Sequence, residues 1–430
     1  MSITTGDGAT TPRRNIFQTL ELDMRLLGMV GAFVIICVAF NIATDGRFLT
    51  PRNLFNLSVQ TASVAVMATG MVFVIVTRNI DLSVGSMLGF IGMTVAYMQV
   101  QVLPPYLGLE HWSIWIIASV TAIAMGAALG AFQGWIIGYL MVPAFMVTLA
   151  GLLVFRGAMW WVTKGQTQAP LDSTFRLMGG GAEGTLGETL SWVFGIVAAV
   201  VAVVLILLSR RRKVGHGFVV KPVWAEALLA AICAGLILCF VWIMNSYEIP
   251  AGALQRMAEV RGVEYTEDLV WYHGVAIPVV ILIAVTAAMT IIAKRTRFGR
   301  YVYATGGNPE AAALSGINTR MLTVKVFALM GALTGISAII ASARLNAVDV
   351  GLGTLDELRV IAAAVIGGTA LSGGFGTIYG AVIGALIMQT LISGMASVGV
   401  DAPLQSIVVG IVLVFAVWVD IVYRRKTGAN

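Results

Sequence analysis

Two stretches of this chain carry polar residues whose types and spacing could do chemistry. Asn79-Ile80-Asp81-Leu82-Ser83-Val84-Gly85-Ser86 places an amide, a carboxylate and hydroxyls in a short break between apolar runs. Such groups exchange hydrogen bonds with a hydroxyl-bearing solute, so Asn79, Asp81, Ser83 and Ser86 are candidate solute contacts. The second stretch is basic and then rich in small residues: Lys294-Arg295-Thr296-Arg297-Phe298-Gly299-Arg300-Tyr301, followed by Gly306-Gly307-Asn308-Pro309-Glu310-Ala311-Ala312-Ala313-Leu314-Ser315-Gly316-Ile317. Asn308 is suited to cap a helix, Pro309 to take its first position, and Glu310 to sit where the helix dipole favours an anion. Ala311 to Leu314 extend that helix and Gly316 ends it. Bond-making chemistry finds no comparable support. The 3 histidines, His111, His216 and His273, fall in loops, no HExxH occurs, and no nucleophile stands beside a base. No GxxxxGK[ST] phosphate loop is present either, since Thr163-Lys164-Gly165 lacks its glycines. Gly374-Phe375-Gly376 with Gly380 has the wrong spacing for a dinucleotide fingerprint. The 3 cysteines, Cys37, Cys233 and Cys239, lie in apolar stretches without CxxC spacing, which predicts packing residues and neither disulfides nor metal ligands. The chain is expected to be no enzyme and to hold no metal.

Composition sets the elements that must position these stretches. Of 430 residues 58% are hydrophobic and 11% charged, where a soluble domain carries about 25% charged residues. One globule cannot hide that much apolar surface, so lipid is the expected solvent. Gly at 48 and Met at 20 fit helices that pack closely without a water-driven core. Apolar runs of the length that crosses roughly 30 Å of hydrocarbon lie at 26–44, 57–77, 82–100, 112–138, 143–163, 190–208, 223–244, 274–293, 322–343, 358–372, 376–394 and 403–422. The expected fold is an all-α polytopic integral membrane protein with about twelve transmembrane helices. Residues 1–25 are polar and interrupted by Asp7, Glu21 and Asp23, which predicts a cytoplasmic segment and not a signal peptide. The membrane domain then covers 26–422, and 423–430 form a tail.

The net charge of +6 arises at the ends of apolar runs, which points to membrane topology and not to nucleic acid. With the amino terminus inside, Arg13, Arg14, Arg210-Arg211-Arg212-Lys213, Lys294-Arg295-Thr296-Arg297 and Arg424-Arg425-Lys426 all fall in the cytoplasm. The acid-rich loop with Glu248, Glu259, Glu264, Glu267 and Asp268 falls outside. Both termini are therefore expected to be cytoplasmic. Trp112, Trp115, Trp160 and Trp161 lie near run ends, as interface anchors do.

Small residues mark where helices touch. Gly126, Gly130, Gly134 and Gly138 line one helix face, as do Gly376, Gly380 and Gly384, and this predicts close packing within the subunit. The break at 79–86 resembles a second at 369–377: Leu82-Ser83-Val84-Gly85 parallels Leu371-Ser372-Gly373-Gly374. Each is either a tight surface turn or backbone unwound inside the membrane, and paired interruptions of that kind point to a transport pathway. Arg156 lies inside an apolar run, where an ionisable group either serves function or snorkels to the interface. Asp81 either meets solute or pairs with a base such as Arg78.

The 308–317 segment reads as a short, well-capped helix between spans, either a connector or a docking element. Glu310-Ala311-Ala312 followed by Gly316 resembles the EAA loop of binding-protein-dependent ABC importer permeases. Arg297-Phe298-Gly299-Arg300, Gly306-Gly307-Asn308-Pro309-Glu310-Ala311-Ala312, the 79–86 break and Leu371-Ser372-Gly373-Gly374 resemble, more narrowly, the ribose, galactose and xylose permease family. Pro143-Ala144-Phe145-Met146-Val147-Thr148-Leu149 fits that family too, with Ala144 where a second proline is usual. The blocks run from about 50 to 420 and cover most of the chain.

The resemblance implies a non-catalytic membrane subunit of an ATP-driven monosaccharide importer in the bacterial inner membrane. It implies a separate cytoplasmic ATPase carrying ATP and Mg, a periplasmic sugar-binding protein and a permease homodimer as partners. By the same resemblance the 294–321 loop couples to the ATPase, through Arg297, Phe298, Gly299, Arg300, Gly306, Gly307, Asn308, Pro309, Glu310, Ala311, Ala312, Leu314, Ser315, Gly316 and Ile317. A neutral sugar asks for hydroxyl and aromatic contacts, so Phe145, Thr148 and Ser372 join Asn79, Asp81, Ser83, Ser86 and Arg156 as candidate pathway residues. The family core has about ten spans, and the excess here lies in an enlarged middle at 165–273. That middle, with its Arg-rich loop, Gly217-Phe218 and Trp224, is similar to that of members carrying D-xylose. Ribose, galactose or a branched-chain amino acid remain alternative substrates on this architecture. An ion-coupled secondary transporter would need embedded Asp, Glu or His, and beyond Asp81 the apolar runs offer little of that kind.

Overall fold

A computed structural model describes residues 24–218, 220–266 and 268–427; Arg13, Arg14, Glu267 and the rest of 1–23 and 428–430 lie outside the described residues. The apolar runs become helices, and strands are absent among the described residues apart from isolated bridges. In chain order they are α1 (Met24–Ala43), α2 (Pro51–Val76), α3 (Val84–Tyr97), α4 (Pro104–Leu107), α5 (Ile114–Tyr139), α6 (Ala144–Thr163), α7 (Ser173–Leu177), α8 (Gly187–Gly215) and α9 (Val223–Asn245). There follow α10 (Ala251–Arg261), α11 (Ile277–Arg295), α12 (Arg297–Gly307), α13 (Pro309–Leu314), α14 (Thr319–Leu345), α15 (Asp356–Ile366), α16 (Ile378–Ser397) and α17 (Ala402–Thr427). Ten helices among the described residues, α1, α2, α3 with α4, α5, α6, α8, α9, α11, α14 and α16, are long and apolar enough to cross a membrane. In α17 the apolar part is Ala402–Phe415.

The run at 358–372, expected as one span, is instead only half of one. It forms the 11-residue α15, roughly 16 Å long at 1.5 Å per residue, about half the hydrocarbon thickness. The chain ahead of it is non-helical and made largely of turns. Asn346, left-handed at φ 51°, ends α14, and Val348 exchanges backbone hydrogen bonds of 2.9 and 3.0 Å with Gln168. From there 349–355 runs down beside α3, because Leu352 lies against Gly89 and Gly353 against Gly85. Leu355, at φ 64°, turns the chain into α15. Charge explains the break: Asp356, Glu357 and Arg359 fall where a continuous helix would have to carry them through lipid. Inside protein, irregular backbone at that depth is tolerated.

The centre of the bundle is α2, buried over most of its length, and α14 lies against it. The hydroxyls of Ser63 and Ser337 meet at 2.6 Å between the two. On its other side α14 receives α5 at backbone contact. Gly126 faces the Gly331 carbonyl, Gly130 that of Phe327 and Gly138 that of Arg320, and no Cβ would fit at any of them. Packing within the subunit is thus what this glycine face serves. Gly380 and Gly384 likewise seat α16 on the Gly367 and Ala363 carbonyls of the α15 hairpin. The enlarged middle stands at the edge. Helices α8 and α9 pair through Gly195 on Val241 and through Arg210 with Glu226 at 2.6 Å, while most of their large apolar side chains are exposed, as lipid-facing helices require.

Candidate functional site

The 297–317 segment is built as its residues suggest. Thr296 caps α12 by accepting from the Gly299 amide at 3.2 Å. The Asn308 carboxamide oxygen accepts from the Ala311 amide at 3.0 Å, with Pro309 at the first position of α13. Gly316, at φ 83°, closes the helix, the Ile317 amide returning to the Ala312 carbonyl at 3.1 Å. Ala312 is the buried member of α13, whereas Glu310, Ala311 and Ser315 are exposed and Leu314 projects at 91% exposure. Arg297 and Arg300 are exposed on the neighbouring α12.

Three backbones meet behind that helix. The Arg78 guanidinium, just past the end of α2, donates to the Gly306 carbonyl at 2.9 Å and to the Gly307 carbonyl at 2.8 Å. The Gly374 amide donates to the Val76 carbonyl at 3.0 Å. A Cβ at Gly306 would strike Val76 and Gly374, and one at Gly373 would strike Arg78. Phe298 stacks on Phe73 with ring centres 5.9 Å apart, and the Tyr303 hydroxyl donates to the Gly376 carbonyl at 2.8 Å. Burial pushes the Tyr303 phenol above its ordinary range, with Tyr379 adding to the shift, so it remains a donor. Both interrupted junctions, 77–83 and 367–377, therefore abut the α12–α13 segment on one face of the bundle. Ser372 lies in this group, exposed, and Arg78 is occupied here and not with Asp81.

A second polar cluster lies at the start of α3. Asp81, buried, accepts from the Ser83 amide at 2.9 Å and from the Ser83 hydroxyl at 2.7 Å. The carboxamide of Gln133 on α5 donates to the same hydroxyl at 3.0 Å. From α6 the Thr148 hydroxyl reaches the Ile80 carbonyl at 3.3 Å and its own helix at Ala144 at 2.9 Å. Asn79 turns back on Thr77, and Phe145 is exposed and apart from the cluster. Arg156 donates from Nη1 to the carbonyls of Val350 and Leu352, each at 3.1 Å, and so holds the turns that lead into α15.

Sequence reasoning missed Gln133, Arg78 and the acids of the broken span. Gln133 sits in an apolar run, and its only signal was being an amide at membrane depth. Asp356 and Glu357 lie just ahead of the run at 358 and were not singled out; both pack inside the bundle, Asp356 paired with Arg359 at 3.1 Å. Beside them a Cβ on Gly85 would meet Glu357 Oε2.

A helical bundle with a broken span, buried polar junctions and a capped helix on one face is the architecture of a membrane permease. The chain belongs to such a family. Residues 53–221 and 189–417 match the family described as branched-chain amino acid transport system / permease component. It is similar to the xylose transport system permease protein of Escherichia coli K12, 36% identical over 407 residues, 95% of this chain and 94% of that protein. The protein of the same description from Haemophilus influenzae is 34% identical over 412 residues, 96% of this chain and 100% of that one. The ribose import permease protein of Escherichia coli K12 is 32% identical over 397 residues, 92% and 94% of the two chains. No solved structure matches this chain.

Proposed function

We propose that the protein is the permease subunit of an ATP-driven monosaccharide importer, with D-xylose as its substrate. The observation that carries this is likeness along almost the whole chain to permeases named for xylose and ribose, the two named for xylose being the more similar. The family description names amino acids, but these full-length relatives are sugar permeases, which favours a sugar.

In this reading the chain sits in the bacterial inner membrane as a homodimer and receives sugar from a periplasmic binding protein. A separate ATPase subunit hydrolyses Mg-ATP beneath it. The broken span and α17, added to the ten long helices, bring the crossings to about twelve, with both termini cytoplasmic as the basic loops require. Helix α13 docks on the ATPase through Leu314 and Glu310. Its displacement pulls on Gly306 and Gly307, and through Arg78 and Gly374 it shifts the ends of α2 and of the α15–α16 hairpin. The Asp81, Ser83 and Thr148 cluster lies beside the moving junction as the polar lining of the pathway.

Radiolabelled xylose uptake tests the reading, in cells carrying the matching ATPase and binding protein, for wild type and for Glu310→Lys with membrane insertion verified. The expected result is uptake by wild type, and loss of both uptake and ATPase co-purification in the variant. Uptake of a branched-chain amino acid and of no sugar would replace the substrate assignment.

A further inference from the structure

Proteins seldom leave a buried polar atom without a partner, because an unmade hydrogen bond in the interior is costly. Among the atoms of this kind, three sit in or beside the broken span. Glu357 Oε2 and Ser86 Oγ are buried and have no hydrogen-bond partner, and Thr369 Oγ1, just past the end of α15, is in the same state. Glu357 is 6% exposed, and Ser86 and Thr369 are fully buried. The neighbouring groups are by contrast satisfied: Asp81 by Ser83, Asp356 by Arg359, and the Val350 and Leu352 carbonyls by Arg156.

The scaffold also holds the free acid in place. Gly85 and Gly353 bring the start of α3 and the turn ahead of α15 into backbone contact, so no side chain stands between Glu357 Oε2 and the first turn of α3. Arg156 on α6 and the Val348–Gln168 pairing fix the chain ahead of α15, and Gly380 and Gly384 fix the helix from α16. A discontinuous helix at membrane depth is where transporters place their solute. A carboxylate oxygen accepts from a hydroxyl, and a serine or threonine hydroxyl both donates and accepts. Those are the complements of a polyhydroxylated neutral solute.

We propose that Glu357 Oε2 and Ser86 Oγ are direct hydrogen-bonding contacts for the sugar in transit, with Thr369 further along the same broken span. The assignment rests on the importer reading and adds to it Glu357, which no sequence motif marked, beside Ser86 of the 79–86 break. In the conformation described here the contact is closed, and the stroke that moves the α15–α16 hairpin opens it.

Two measurements on the reconstituted permease, ATPase and binding protein test this. In the first, Ser86→Cys and Glu357→Cys are made in a background with Cys37, Cys233 and Cys239 replaced, and a charged water-soluble thiol reagent is applied with and without ATP turnover. Both positions are expected to react during turnover, and xylose-loaded binding protein is expected to slow the reaction. In the second, Glu357→Gln is expected to lower xylose uptake about tenfold, the factor one charge-assisted hydrogen bond is worth, while ATP hydrolysis stimulated by the binding protein persists. A residue that only supported packing would lower uptake and hydrolysis together and leave the cysteines dark. Cysteines that stay unreactive in every nucleotide state, or uptake within twofold of wild type in Glu357→Gln, overturn the proposal. If Glu357→Gln fails to assemble, Ser86→Cys labelling decides. Cysteines that react in a wild-type complex importing no sugar would sink the importer reading and leave a water-filled path standing for another solute.

Discussion

The guanidinium of Arg78 spans the gap between helix α2 and the carbonyl oxygens of Gly306 and Gly307, at 2.9 and 2.8 Å. Arg78 is itself left-handed, at φ 63°, so the chain leaves α2 in a turn that aims the side chain sideways along the membrane face. The guanidinium is planar, and its two donors fix the angle as well as the distance of the last turn of α12. Since α13 follows Gly307 after a single residue, Arg78 ties α13 to the end of the most buried helix of the bundle, beside the Phe298–Phe73 stack and the close approach of Gly306 to Val76.

Replacing Arg78 by alanine removes both charge-assisted hydrogen bonds, each worth about 1.5–3 kcal/mol. The side chain is exposed, so insertion and assembly should persist. Xylose uptake should fall about tenfold or more, while ATPase co-purification stays at the wild-type level. Arg78→Lys should recover only part of the loss, because an ammonium does not reproduce the fork. Uptake of wild-type magnitude in Arg78→Ala would remove this contact from the coupling route.

Leu314, at 91% exposure, is the apolar anchor of α13 in the docking role proposed for it. Leu314→Asp leaves every cap of α13 in place, since Asn308, Gly316 and the Ile317 amide are untouched. The variant should insert normally, lose ATPase co-purification and lose uptake. Ala312→Asp, at the buried member of the same helix, should instead lower the yield of folded permease. Equal behaviour of the two would mean that α13 is a connector and that its outward face is not read by a partner.

Much of this architecture was legible in the sequence, and the failures share a cause. Eleven of the twelve apolar runs coincide with helices that α1 to α17 supply at nearly the same limits, because lipid demands one continuous apolar helix per crossing. The caps of α13 were equally readable, Asn308, Pro309 and Gly316 each having a local stereochemical reason. The broken span was not. The chain ahead of α15, 346–355, is turns whose backbone is satisfied partly by themselves and partly by Arg156 and Gln168 from elsewhere in the chain. A hydropathy reading sees only what a segment does alone. The glycine face of α5 was visible for the same reason that its partner was not: spacing reveals a face, and only packing reveals that α14 lies on it.

That α5–α14 contact predicts a sharp difference between glycines. A side chain at Gly130 would collide with the Phe327 carbonyl, whereas Gly157 on α6 has nothing within 4 Å of its would-be Cβ. Gly130→Val should destabilise the detergent-solubilised protein by roughly 2–3 kcal/mol or more and lower its melting temperature accordingly. Gly157→Ala should be neutral or slightly stabilising, by up to about 1 kcal/mol in a helix interior. Thermal unfolding of the two variants against wild type checks the ordering, and a Gly130→Val protein as stable as wild type would contradict the backbone contact.

The 246–276 loop offers a pH test that the membrane part does not complicate. His273 precedes α11, stacks on Tyr247 with ring centres 4.1 Å apart and planes 1° from parallel, and touches Phe55 at the top of α2. Burial pushes its pKa below the ordinary value, against a smaller opposing effect of the Tyr247 carbonyl, to which Nδ1 lies at 3.2 Å. The sign follows from which state binds the proton. Once undocked, His273 would titrate near the usual value of about 6.5, so below that pH the undocked loop takes up a proton that the docked loop resists. Docking is therefore at full strength above about pH 6.5 and weakens as the pH falls through the depressed value of the docked state. Hydrogen exchange in 246–276 should quicken between pH 7 and 5, and His273→Phe, which keeps the aromatic stack without the proton, should flatten that dependence. If exchange in the wild-type loop is the same at both pH values, the neutral His273 stack does not hold the loop against the bundle.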